Sequence, residues 1–299
     1  MTRSTSVNIE PGAFAIPRDR ADVLVHADGH DVTLTNLRKL FFPTTGATKG
    51  DLLQYYADVA PFLVPYLAGR AEVMKRYPNG AESEFFYMKR TPSNAPSWLQ
   101  TCAIEHGSGS VIAFPIINDL ASLLWVINLG CIDLNEWYSR CDDTDRPDYL
   151  HFDLDPMKDG STPFSTVRQA ALYVHEALDE LGIPAYAKTS GSSGIHVYVP
   201  IVRGLRQKEV WTFAKAFAQT MERMHPEVIT AEYRIAKRPS GRVLVDYNQN
   251  AWGKTLASVY SVRATPRATV STPVTWDEIA AGIEIDDFRL DNIRDRLVK

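Results

Sequence analysis

The segment Tyr149-Leu150-His151-Phe152-Asp153-Leu154-Asp155-Pro156 alternates apolar and polar side chains, a period that an extended strand turns into two unlike faces. Leu150, Phe152 and Leu154 point into a core, and His151, Asp153 and Asp155 point together the other way. Two carboxylates on one strand face repel. Either the strand is an exposed edge ahead of a turn at Pro156, or a cation sits between the acids. An oxygen-only site of that kind suits Mg²⁺ or Mn²⁺ better than zinc.

The rest of the chain narrows the setting. With 299 residues, 45% hydrophobic and 23% charged, the composition is that of an ordinary globular protein. No apolar run approaches the ~18 residues of a membrane span and no signal-peptide pattern is present, so a soluble, cytoplasmic protein without a membrane partner is expected. Cys102, Cys131 and Cys141 are odd in number and contain no Cys-x-x-Cys pair, which predicts buried thiols rather than a disulfide framework or zinc ribbon. The net charge of −4 hides a segregation: twelve Lys/Arg face five Asp/Glu between Arg203 and Arg267, and seven acids lie between Trp276 and Asp295. A basic face for nucleic acid and a scatter of solvated charges both fit.

Residues 1–29 lack sustained periodicity and read as an N-terminal extension, with residues 30–299 as one catalytic domain. Thr48 can cap a helix with Asp51 in the capping-box position and Leu52, Tyr56 and Val59 as its apolar stripe, ending near residues 57–60 before Pro61 and Pro65. Strands are predicted at 32–34, 73–77, 85–88, 110–117, 132–137, 195–199 and 242–247, and 140–146 reads as a polar connection. Helices are predicted at 120–129, from Pro163 to Gly182, and at 207–223. Short adjacent strands mixed with helices indicate an α+β fold with mixed or antiparallel sheets flanked by helices.

Asp246 lies inside the apolar run Val243-Leu244-Val245, where an unpaired charge would be costly. A salt bridge to Arg234 or Lys237, or a cation shared with Asp153 and Asp155, would satisfy it. Between the acids, Ser190-Gly191-Ser192-Ser193-Gly194 delivers the strand headed by His196. Such a loop can expose consecutive backbone N–H groups and, with the hydroxyls of Ser190, Ser192 and Ser193, hold phosphate oxygens. His196 shares a face with Tyr198 and can look outward as a ligand contact; a structural histidine is the competing reading.

Asp-x-Asp, a Ser/Gly loop ending in His, and a strand acid together match the order of the archaeo-eukaryotic primase superfamily. The chain resembles the polymerase domain of bacterial ligase D and its stand-alone primase-polymerase relatives. The likeness runs from about residue 32 to 267 and includes Val32-Thr33-Leu34-Thr35-Asn36, Lys75-Arg76-Tyr77-Pro78-Asn79-Gly80, Asp246-Tyr247-Asn248-Gln249-Asn250 and Tyr260-Ser261-Val262-Arg263. The resemblance implies that Asp153, Asp155 and Asp246 are catalytic and bind two ions, Mn²⁺ or Mg²⁺. It implies triphosphate and ribose contacts from Ser190, His196, Gln249, Lys254 and Arg263. Lys39 and Lys49 match lysines that hold a 5′-phosphate across a gap, and Phe85 and Phe86 match aromatics that stack on the template; alternation would put at least one of those two in the core.

Three features depart from the family pattern. Asn135 stands where a histidine is usual, Ser193 replaces a lysine, and the connection from Trp137 to Tyr149 is short. The implied activity is a template-dependent nucleotidyltransferase that extends a primer 3′-hydroxyl across short gaps with a 5′-phosphate. It would act on gapped or primer-template DNA with nucleoside triphosphates, preferring ribonucleotides. The competing readings are a non-catalytic DNA gap- or end-binding module, a metal-dependent phosphoesterase, and a polymerase acting in non-homologous end joining with a separate DNA ligase.

Overall fold

The structure is a computed structural model that describes residues 14–107 and 109–297. The fold is α+β. At its centre is a six-stranded sheet in the order Ile229–Thr230, Val243–Asp246, Tyr149–Asp155, Ile195–Pro200, Tyr186–Thr189, Pro273–Val274. Every pairing is antiparallel except the parallel first one. The alternation read in the Asp153 strand holds: Leu150, Phe152 and Leu154 are buried on one face. They pack with the helices Phe164–Glu180 and Gln207–Met224, where Phe152 stacks on Phe217 at 4.7 Å between ring centroids.

The opposite face carries the polar residues, of which His151, Asp153, His196 and Lys188 are buried, with Tyr138 edge-on to His151 and Lys188 bonded to the Ala257 carbonyl and Ser271 Oγ; further elements complete the fold. Those elements are the helices Lys49–Leu67 and Leu120–Asn128, a three-stranded sheet of Phe86–Met88, Met74–Arg76 and Cys131–Asp133, and the hairpin Thr101–Glu105/Val111–Pro115. The strands Thr101–Glu105 and Tyr186–Thr189 were not predicted, and the expected strand at 132–137 is shorter and starts at Cys131.

Thr48 caps the first long helix as expected. Its hydroxyl accepts the Asp51 amide proton and the Asp51 carboxylate accepts the Thr48 amide proton. Thr48→Ala is expected to cost about 1 kcal/mol, measured by urea unfolding. The predicted end at 57–60 is corrected, because the helix continues through Pro61 and Pro65 to Leu67. Each proline removes a backbone donor. Yet Leu63 and Leu67 lie on the same buried stripe as Leu52, Tyr56 and Val59, and stopping early would strip both from the core.

Three other expectations also change. The extension lies outside the described residues up to position 13, and beyond it two points are tied to the fold. Ile16 is buried and donates its amide to Gln54 Oε1, while Val23–Ala27 pairs antiparallel with His30–Leu34. The polar connection at 140–146 is part of a small hairpin, Ser139–Arg140 with Asp143–Pro147, braced by Arg70 and Arg140 on Asp148. Cys102 and Cys141 form a disulfide with a Cα–Cα distance of 5.8 Å, leaving Cys131 as a buried thiol. Thirty-nine residues of sequence separate the partners, so spacing gave no hint of the pairing.

Candidate active site

Sheet register assembles the site. Asp153 lies opposite Asp246 on one side and opposite His196 on the other, and His196 lies opposite Lys188. One rung of the ladder therefore reads Asp246, Asp153, His196, Lys188, all buried. Asp155 sits two residues along the same face, half-buried. Gly194 passes close beside it: a Cβ there would lie 2.4 Å from the Leu154 carbonyl oxygen and 3.6 Å from Asp155 Oδ1.

Low polarity and like charge dominate the electrostatics. Burial, opposed by Lys188 and Arg263, raises the Asp153 carboxyl to about 6. Burial, followed by Asp153 and Asp246, lifts Asp155 to about 7. Asp246 is raised by burial and then by Asp153. Its carboxylate accepts the Asn248 amide at 2.8 Å and Gln249 Nε2 at 3.0 Å, and among the described residues no ion pair joins it to Arg234 or Lys237. Asp153 Oδ1 is buried, with the His196 ring 3.3 Å away. Three acids on one buried face have the donor chemistry of a hard divalent-ion site. The fit is one of donor type: among the described residues no three His, Cys, Asp or Glu side chains are gathered into a closed ligand group.

His196 is buried rather than outward-looking. Burial, then Lys188 and Arg263, holds its ring neutral by pushing its pKa well down. Lys188 Nζ reaches His196 Nδ1 at 2.8 Å, the Ala257 carbonyl at 2.7 Å and Ser271 Oγ at 2.6 Å. With Nδ1 accepting from the lysine, the ring proton lies on Nε2, which faces Asp153 Oδ1 at 3.3 Å. Sequence reading missed Lys188. The signal was available: a hairpin closed by the Ser190 loop pairs Thr189 with Ile195, and hence Lys188 with His196. Lys188→Met keeps most of the stem but removes three donors, and is expected to cost about 2–3 kcal/mol in urea unfolding.

The Ser190 loop is not an open phosphate cradle. The amides of Ser192, Ser193 and Gly194 converge on Ser190 Oγ at 3.1, 3.1 and 2.9 Å, so the N–H groups expected to meet a ligand already have an acceptor. Arg263 is pinned beside the loop, donating from Nη1 to the Ser190 carbonyl at 2.8 Å and placing Nε 3.0 Å from the buried Asp133 carboxylate. Lys75 Nζ lies 3.5 Å from the other Asp133 oxygen. Asp133 thus holds two cations, Arg263 beside the Ser190 loop and Lys75 beneath the Phe85 ring, a role its sequence position did not suggest. Gln249 is on Asp246, and Lys254 is exposed with its amide on the Ala251 carbonyl. Asn135 donates its side-chain amide to the Asp133 carbonyl at 3.2 Å and its backbone N–H to Glu72 Oε1 at 2.6 Å.

The expected DNA-contacting residues divide. Phe85 and Phe86 are both exposed, 49% and 46%, which overturns the expectation that one would be core. They stand over cations instead: Lys75 Nζ lies 4.2 Å from the Phe85 ring centre and the Arg76 guanidinium 5.1 Å from that of Phe86. Lys39 is exposed and bonded to the Pro78 carbonyl and Asn79 Oδ1. Lys49 is buried, and its ammonium is taken by the Thr35 carbonyl and hydroxyl and by Asn128 Oδ1. Burial, then Lys39, lowers its pKa to about 8. Of the basic run between Arg203 and Arg267, Arg203, Arg206, Arg263 and Arg267 are ion-paired, whereas Arg234 and Lys237 are exposed.

Comparison with known proteins gives a consistent picture. The family model described as LigD, primase-polymerase domain, matches residues 48–299. The multifunctional non-homologous end joining protein LigD of Mycolicibacterium smegmatis is 37% identical over 268 residues, covering 89% of this chain and 34% of that protein. The bifunctional non-homologous end joining protein LigD of Bacillus subtilis is 32% identical over 266 residues, covering 89% of this chain and 42% of that protein. The chain therefore spans between a third and a half of the length of these relatives. Among solved structures, the polymerase domain from Mycobacterium tuberculosis ligase D in complex with DNA matches with a TM-score of 0.83 and 30% identity, covering 89% of this chain and 94% of that one. No helix among the described residues is long and apolar enough to cross a membrane.

Proposed function

The chain belongs to the LigD primase-polymerase domain family, and from that premise we propose that it is a template-dependent nucleotidyltransferase extending a primer 3′-hydroxyl across short DNA gaps that carry a 5′-phosphate. Ribonucleoside triphosphates are its preferred substrates, and end joining with a DNA ligase is its setting. The observation that carries this reading is the placement of Asp153, Asp155 and Asp246 on one face in adjacent register, each with a raised pKa. Carboxylates that repel one another in a buried site gain most from divalent cations.

Asp153, Asp155 and Asp246 would hold two ions, Mn²⁺ or Mg²⁺. Bound there, the ions would activate the primer hydroxyl and neutralise charge on the transferring phosphate. His196, held by Lys188, fixes the orientation of Asp153. Arg263, held by Asp133, presents fixed positive charge beside the Ser190 loop, and Ser190, Gln249 and Lys254 complete the nucleotide contacts. Lys39 is available to a 5′-phosphate as a surface charge, whereas Lys49 must give up a protein acceptor to reach one. Phe85 and Phe86 offer ring faces to an unstacked template base, a contact indifferent to base identity.

Primer extension on a 5′-phosphorylated gap with Mn²⁺ tests the reading. Incorporation is expected, faster with ribonucleotides; salt-sensitive gap binding without any incorporation would instead identify a non-catalytic end-binding module. Phe85→Ala should weaken gapped-DNA binding about tenfold by fluorescence anisotropy without altering the fold, given ~1–3 kcal/mol per stacked base.

A further inference from the structure

Behind the polar rung, on the side away from Asp155 and Gly194, lies a cavity of about 810 Å³ between the central sheet and the helix Lys49–Leu67. Its walls are aromatic: Phe62, Tyr66, Tyr149, Tyr186, Tyr198 and Tyr260. Two charged residues reach it from the floor, Glu136 and Lys188, and two at the mouth, Glu278 and Arg296. The polymerase reading uses none of the aromatic residues.

The charges are not equally available. All three donors of the Lys188 ammonium are spent on His196 Nδ1, the Ala257 carbonyl and Ser271 Oγ. The Arg296 charge is met by Glu278, whose two oxygens accept at 2.5 and 2.6 Å, and a third N–H goes to the Pro273 carbonyl at 2.9 Å. Lys188 thus has no donor left for a phosphate or carboxylate, and the Arg296 charge is already compensated by a carboxylate. Glu136 differs. Ser258 Oγ donates to its Oε2, and the residue is half-buried and lines the cavity. Burial raises its pKa, and the hydroxyl of Ser258 is the main opposing influence. Ring faces carry negative potential, so aromatic walls around one carboxylate favour flat or cationic guests and disfavour anions.

We propose that this cavity is a binding site for a small planar nitrogen compound, uncharged or singly cationic, that donates an N–H edge to Glu136 and lays its ring against the tyrosines. Amidines, aminoheterocycles and free nucleobases belong to this class; nucleotides do not, because the Lys188 donors are spent and the Arg296 charge is already compensated by Glu278. The site lies apart from the three acids and does not depend on the polymerase reading.

Benzamidine and benzoate, nearly equal in shape and opposite in charge, are suitable probes, titrated by calorimetry against the full chain without divalent ions. Benzamidine is expected to bind with a submillimolar Kd and benzoate not to bind. Glu136→Gln should weaken benzamidine at least tenfold. Tyr186, 64% exposed at the rim, supplies a variant that cannot threaten the core, and Tyr186→Ala should weaken benzamidine about threefold. If Glu136→Gln fails to fold, Tyr186→Ala decides. Absence of benzamidine binding up to several millimolar, equal binding of benzoate, or indifference to both substitutions would overturn the proposal.

Discussion

Asp155→Asn is expected to reduce primer extension by about 10³-fold or more while leaving the ion-free fold intact and slightly stabilised. The two effects have one origin. Burial, Asp153 and Asp246 raise the Asp155 carboxyl to about 7, so the residue that would hold an ion destabilises the empty site. A folded-state pKa above the unfolded ~4 means that the native state binds the extra proton between roughly pH 4 and 7. The stabilising contribution is therefore full below about pH 4 and lost as the pH rises toward 7. In chelator, wild-type Tm should fall across that window and the asparagine variant should fall less. Adding Mn²⁺ at pH 7.5 should raise wild-type Tm and raise the variant's by a smaller amount. Retained extension in the variant would remove Asp155 from the site.

Gly194→Ala should be severely damaging for the addition of a single methyl group. Its Cβ would stand 2.4 Å from the Leu154 carbonyl oxygen, and that atom is backbone within the strand carrying both acids. No side-chain rotation relieves such a contact, so the His196 strand must separate from the Asp153 strand. A cost of about 3 kcal/mol is expected, a fall in Tm of roughly 6–10 °C, together with loss of extension. Ser193→Ala, one residue earlier on an exposed loop position, is the control and should leave Tm nearly unchanged. Equal Tm for Gly194→Ala and wild type would mean that the two strands are not held this closely.

The Asp153 strand was legible because a period of two admits only one backbone shape. The capping box at Thr48 was legible because both partners lie within four residues. What escaped depended on distance in space. Nothing in the sequence around Pro61 and Pro65 reveals that Leu63 and Leu67 have a core to fill, so breaker chemistry alone gave too short a helix. Phe85 and Phe86 read as one residue in and one out, yet both are outside, because Lys75 and Arg76 on the neighbouring strand supply ring contacts that a core would otherwise provide. Lys49 matched a phosphate-binding position by sequence, but its ammonium is engaged by Asn128, 79 residues away. The three acids were found as residue types; their shared rung with His196 and Lys188 is a property of register, which the sequence carries only through hairpin lengths.

The Ser190 loop changes character once its hydrogen bonds are counted. Three amides press their partial positive charge on a single hydroxyl oxygen, which draws electron density from the O–H bond and leaves the proton as the group's one remaining means of bonding. A nest of three weak donors becomes one polarised donor whose direction is set by the position of Ser190. Replacing that oxygen with hydrogen would turn the loop back into an open ring of amides with affinity for loose anions such as sulfate. The serine therefore trades general attraction for aim.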